Sequence, residues 1–179
     1  MNCLYDLTGP SCAMLLPGSW KREPCPHCKR SRRIQIKNLS LELTCPSRNI
    51  WSCGEIIVTS VVVERLKALT PLGMFVQPIE ADWYIENPWG DNQPPPMLFQ
   101  IRTYASIHAQ ARSIIPGKVD CCTEGVRDPL YVKEPPSMSD YGFWNVEESG
   151  GMILFTKGIR DLFISYDQDL EFMQVPFEK

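Results

Sequence analysis

Two stretches of this 179-residue chain follow a common plan. Cys25-Pro26-His27-Cys28-Lys29-Arg30 is answered by Cys122-Thr123-Glu124-Gly125-Val126-Arg127, and Ile34-Gln35-Ile36 by Leu130-Tyr131-Val132. Gly54-Glu55-Ile56-Ile57-Val58-Thr59 is answered by Gly151-Met152-Ile153-Leu154-Phe155-Thr156, and each glycine stands 29 residues after its leading cysteine (54 − 25 and 151 − 122). Phe75-Val76-Gln77-Pro78-Ile79-Glu80 is echoed by Phe172-Met173-Gln174-Val175-Pro176-Phe177-Glu178. Matches in one order at similar spacing argue for a duplicated unit. The expectation is an α+β protein of two pseudo-repeated strand–helix–strand units, each headed by a cysteine turn. Residues 1–93 carry the Cys-x-x-Cys turn and residues 94–179 a degenerate one; the two are packed together or built on one shared core.

Periodicity fills in the elements. Ile34–Ile36 and Leu39–Leu43 alternate apolar and polar residues, as half-buried strands do. Glu55–Val58 reads as a short strand, with Thr59 or Ser60 as N-cap of a helix whose apolar face is Val62, Leu66 and Leu69. Pro71 ends it, and Gly73–Ile79 predicts a further strand. Leu98–Ile101 and Gly151–Thr156 predict strands, and Ile159, Leu162, Phe163 and Tyr166 form a second helical stripe. Ser106–Ile115 reads as a short helix, and residues 1–24 as irregular. Pro94-Pro95-Pro96 suits a stiff connector.

Net charge is −3, with no global pull toward polynucleotides or anionic membranes. No segment approaches the roughly 18 apolar residues of a membrane span, and the N-terminus has neither a basic nor a long apolar run of the signal-peptide kind. The expected location is the cytoplasm. Thiols stay reduced there, so eight cysteines favour a metal site over a disulfide framework.

Cys25 and Cys28 are spaced to bind one metal, and Zn²⁺ takes four such ligands in a tetrahedron. Cys121 and Cys122 are the expected partners if the two cysteine turns meet; Cys45 and Cys53 are the alternative. His27, between the thiols, would point away from a metal held by both. A redox role for Cys25 and Cys28 lacks the strand–turn–helix setting that lowers a thiol pKa. Lys21, Arg22, Lys29, Arg30, Arg32 and Arg33 crowd the first turn, which leaves a zinc-ribbon-like nucleic-acid contact as a runner-up. No hydrolase, metalloprotease, phosphate-loop or dinucleotide signature occurs, and His108 has no nucleophile motif near it. No catalytic residue is expected. Trp83, Tyr84 and Trp89 are the candidate partner-binding aromatics, with Tyr141, Phe143 and Trp144 as a second group.

The Cys-x-x-Cys turn, the segment Trp51-Ser52-Cys53-Gly54-Glu55-Ile56-Ile57-Val58-Thr59-Ser60 running into Val63-Glu64-Arg65-Leu66, and Phe75-Val76-Gln77-Pro78 together resemble the double-CxxCG proteins of myxobacteria. The resemblance covers the chain from about Pro24 onward. It implies a cytoplasmic immunity protein that binds and blocks a cognate protein toxin. The chain departs from the family pattern at two places: Lys29 follows Cys28 where the family has glycine, and Gly125 stands where Cys28 stands in the first turn.

Overall fold

The computed structural model describes residues 3–24, 31–45, 48–83, 95–111, 130–132, 139–146 and 152–177, apart from the side chains of 31–33, 109–111 and 130. The fold is α+β, mostly sheet with two helices. The first half of the chain supplies β1 (Cys3–Gly9), β2 (Ala13–Leu15), β3 (Trp20–Pro24), β4 (Ser31–Gln35), β5 (Ser40–Leu43), β6 (Ile50–Ser52), β7 (Ile56–Thr59), α1 (Ser60–Leu69) and β8 (Met74–Trp83). The second half supplies β9 (Leu98–Thr103), β10 (Ser106–Ile107), β11 (Ala109–Ala111), β12 (Leu130–Val132), β13 (Phe143–Val146), β14 (Ile153–Phe155), α2 (Lys157–Tyr166) and β15 (Glu171–Pro176).

Both helices begin at an extended threonine, Thr59 (φ −74, ψ 165) and Thr156 (φ −73, ψ 165). Neither hydroxyl caps its helix. Thr59 Oγ1 donates to Asn49 Oδ1 (3.2 Å) and Thr156 Oγ1 to the Asp140 carbonyl (2.7 Å), tying each helix start to the chain leading into the neighbouring strand. Val62, Val63 and Leu66 of α1 and Ile159 and Phe163 of α2 are the buried stripes.

Two expectations are corrected. Residues 1–24 are not irregular, since they contain β1, β2 and β3. Leu4, Tyr5 and Leu7 show no strand alternation because β1 is covered on both faces. Ser106–Ile115 does not begin as a helix: Ser106–Ile107 pairs in parallel with Asn145–Val146, and Ala109–Ala111 antiparallel with Leu130–Val132. Backbone groups on sheet partners outweigh the mild helix preference of the alanines.

Six strands in the order β2-β5-β8-β9-β7-β6 form one sheet, and five in the order β10-β13-β14-β1-β15 form another; β3–β4 and β11–β12 pair as separate ribbons. Each half of the chain gives its first strand to the other half's sheet. β9 lies antiparallel between β7 and β8, with Val58 opposite Phe99, and β1 lies antiparallel between β14 and β15, with Tyr5 opposite Phe155. Hydrogen bonding therefore crosses residue 93 in both directions.

One apolar cluster is drawn from both sheets and both helices, including Leu7, Ile50, Val58, Leu66, Ile101, Phe143, Phe155 and Phe163. Alternate residues of the same strands build two outer clusters. Trp51 and Ile57 join Leu41, Leu43 and Leu98 on one side, and Trp144 and Leu154 join Leu4, Val146 and Val175 on the other. The sheets are also stitched through backbone: Ser52 Oγ donates to the Leu7 carbonyl (3.3 Å), Thr103 Oγ1 to the Phe143 carbonyl (2.9 Å), and Leu72 bridges Gly142.

Candidate functional site

Two features concentrate polar chemistry. The first is the β3–β4 ribbon, whose register runs from Trp20 opposite Gln35 to Pro24 opposite Ser31. The ribbon's far end thus brings together the two ends of segment 25–30, which carries Cys25 and Cys28. Its near end is anchored by amides. Gln35 and Gln100 exchange hydrogen bonds at 3.1 and 3.0 Å, Gln100 Nε2 also donates to Glu55 Oε2 (2.9 Å), and Arg102 Nη1 donates to Gln35 Oε1 (2.7 Å). Gln100 is fully buried, so this pairing is what makes a polar side chain tolerable there. Ser19 reinforces the base, accepting from the Ile36 N–H at its carbonyl (3.0 Å) and from the Ser40 N–H at its hydroxyl (3.0 Å).

The ribbon is charge-segregated. Six of the chain's 18 cations lie between residues 20 and 35 against one of its 21 acids, a net +5, which leaves 12 cations and 20 acids elsewhere, a net −8. Lys21 and Arg22 are exposed, with the Arg22 guanidinium 5.9 Å from the Trp20 ring centroid; Arg33 is the register partner of Arg22, and Arg32 that of Glu23.

The second feature is a seam where the two sheets meet. Asp167, at the end of α2, is buried and accepts from the Asn49 and Ile50 N–H groups (3.0 and 2.8 Å). Arg48 pairs with Asp169 through Nη2, while its Nη1 is buried with no hydrogen-bond partner among the described residues. Arg48 holds the Asp169 carboxyl below its ordinary range. Cys12, between β1 and β2, lies with its thiol in hydrogen-bonding reach of Cys45, just after β5. Burial, then the neighbouring Cys45 thiol, pushes the Cys12 thiol up to about 11, against the opposing pull of Arg48. A thiol so placed is a poor nucleophile at neutral pH.

Of the residues singled out in the sequence, Cys25, Cys28, Cys121, Cys122, Tyr84 and Trp89 lie outside the described residues. Cys45 sits beside Cys12 and Thr44, and Cys53 in the turn between β6 and β7, its N–H donating to the Glu55 carbonyl (3.3 Å). Among the described residues no group of three or more His, Cys, Asp or Glu is disposed to hold a metal. Trp83 ends β8, half-buried against the outer cluster of the six-stranded sheet, and His108 is exposed. Phe143 and Trp144 are core residues, so that aromatic group is not a surface. Sequence reasoning missed Cys12, Arg48, Asp167 and Asp169, because they are far apart in the chain and meet only where the end of α2 reaches the start of β6 and β2 pairs with β5.

Among the described residues no helix is long and apolar enough to cross a membrane. Comparison of the chain with family models, with curated proteins and with solved structures finds no match in any of the three. The ribbon, then, is a cationic element anchored at its base, and the seam is a structural clamp with a thiol pair at its edge.

Proposed function

We propose that this protein works in the cytoplasm by binding rather than catalysis, as an immunity protein that neutralises a cognate antibacterial toxin by direct protein–protein contact. The observation that supports this is the anchored ribbon, a net +5 segment on a molecule otherwise net −8. A fixed element of one sign steers a partner of the opposite sign and sets its register. The resemblance to the double-CxxCG proteins supplies the class of partner. Trp83, Tyr84 and Trp89 are the proposed aromatic anchors. A toxin gene directly beside this one is expected, and co-expression of this protein with that toxin is expected to restore growth. The double variant Lys21→Glu, Arg22→Glu should keep the native circular dichroism spectrum yet bind the toxin at least about tenfold more weakly. Equal killing with and without the protein would defeat the reading.

A second reading is a zinc-ribbon-like module on nucleic acid, favoured by cations along both strands of a ribbon ending in two cysteines. It requires affinity for polynucleotide that falls steeply with salt.

Both readings include a structural zinc held by Cys25 and Cys28 with Cys121 and Cys122, or with Cys45 and Cys53. The pairing of Pro24 with Ser31 suits a turn that presents two thiolates to one ion. Such a metal supplies cross-linking and no reaction. About one zinc per chain is expected by elemental analysis, and Cys25→Ser should lose it together with thermal stability. Wild-type protein free of metal after chelator-free purification would remove the ion from the account.

The same proposal takes the chain as a doubled unit. Trp51 opposite Ile57 matches Trp144 opposite Leu154, and the Thr59 N–H bond to the Asn49 carbonyl matches that from Thr156 to Gly142. The contacts between halves are reciprocal: Leu72, after α1, meets Gly142, while Asp167 and Asp169, after α2, meet Arg48 to Ile50. Reciprocity of this kind supports the reading of two like units related by a two-fold axis. Each cysteine-bearing connection also falls at the same point of the order, between β2 and β5 and between β11 and β12.

A further inference from the structure

We propose that Cys12 and Cys45 form a reversible disulfide that staples the exchanged strand β1 to the six-stranded sheet. β1 belongs to the five-stranded sheet and β2 to the six-stranded one, so residues 10–12 are the crossing between them. The end of β5 holds that crossing from the other side. The Thr44 N–H and hydroxyl both donate to the Cys12 carbonyl (3.0 and 3.1 Å), and Thr44 Oγ1 lies 3.9 Å from Cys45 Sγ. Ala13 opposite Leu43 continues the same register inward and sets Thr44 opposite Cys12, so Cys45 follows directly on the residue paired with Cys12, with its thiol in hydrogen-bonding reach of the Cys12 thiol. Neither is fully buried, which leaves the pair open to a small oxidant. The Arg48–Asp169 pair seats the segment before β15 at this corner, so a bond here would fasten the place where β1 leaves one sheet for the other.

The oxidant is a low-molecular-weight disulfide. The Cys45 thiolate attacks it, forming a mixed disulfide and releasing one small thiol; the Cys12 sulfur, held beside it, loses its proton as it displaces the other small thiol. Two protein thiols are oxidised and one small disulfide is reduced to two thiols, which carry off the two protons. Oxidised, the crossing that follows β1 is tied covalently to the end of β5; reduced, it is held by hydrogen bonds and packing alone. This is independent of which partner the ribbon binds, and it leaves Cys121 and Cys122, not Cys45, to complete a zinc site in the oxidised protein.

The test treats the full chain with oxidised glutathione, alkylates the remaining thiols under acid quench and maps the peptides. A Cys12–Cys45 linked peptide is expected, absent in Cys45→Ser, present in Cys53→Ser and reversed by dithiothreitol. Amide hydrogen exchange across Cys3–Gly9 is expected to slow at least about fivefold in the oxidised protein. Should Cys45→Ser fail to fold, the wild-type map decides alone. Recovery of Cys12 and Cys45 alkylated, or each carrying glutathione, from natively folded protein would overturn the proposal. A linked peptide with unchanged exchange in β1 would overturn the staple.

Discussion

Gly73 stands where the two sheets touch, with φ +81, and a Cβ added there would lie 2.6 Å from the Phe143 carbonyl oxygen and 2.8 Å from both Ala105 Cβ and Thr103 Oγ1. Its backbone conformation and its space both require glycine. Gly73→Ala is expected to destabilise the protein by about 2 kcal/mol or more in urea melts; a loss below about 0.5 kcal/mol would show that the junction yields freely. Asp6, on β1, occupies the register position that Gln100 occupies on β9, each one residue past the aromatic that faces β14 or β7. Burial holds its carboxyl up at about 7, with the Leu7 backbone hydrogen bond acting the other way. The unfolded chain loses this proton near pH 4, so between about pH 4 and 7 the native state binds a proton that the unfolded state has lost. The stabilisation from Asp6 is thus complete below about pH 4 and disappears as pH rises through about 7. Asp6→Asn should match wild type at pH 4 and exceed it at pH 8. Equal stabilities at both pH values would refute the assignment.

At the scale of elements, the ribbon depends on Gln100, whose loss would leave Gln35 and Glu55 without their buried partner. Gln100→Ala is expected to cost about 1–3 kcal/mol and to speed amide exchange in β3 and β4 before it affects β13 and β14. Uniform acceleration would mean that the amide pair serves the whole core. The strand–helix pieces of this fold are legible in the sequence, because α1 and α2 bury one stripe each and β7 and β14 run straight into a threonine at the N-cap position. β1 is not legible. Leu4 faces one cluster while Tyr5 and Leu7 face another, which erases the period-two signal, and its partners lie near the far end of the chain. β10 and β11 are equally hidden, since pairing and not composition makes Ser106-Ile107 and Ala109-Gln110-Ala111 extended. The cysteine turn at residue 25 stands out in the sequence at once. The Cys12–Cys45 pair leaves no trace there, since it arises only from the antiparallel pairing of β2 with β5.

For the molecule as a whole, the exchange of β1 and β9 makes each half complete only in the presence of the other. Residues 1–93 expressed alone lack β9, the strand between β7 and β8, and residues 94–179 lack β1, the strand between β14 and β15. Each fragment is expected to be poorly ordered by circular dichroism, and an equimolar mixture to regain the native spectrum. Cooperative folding of either fragment by itself would contradict a core shared across the halves. The exchange also bears on synthesis. Cys3–Gly9 leaves the ribosome long before Ile153–Phe155 and Glu171–Pro176, the strands that flank it, so at about 5–20 residues per second it waits on the order of ten seconds with both edges bare. A nascent chain built this way cannot settle half by half as it emerges, and a truncated product would leave the slot between β14 and β15 unmade, with an unclaimed strand for other chains to pair with.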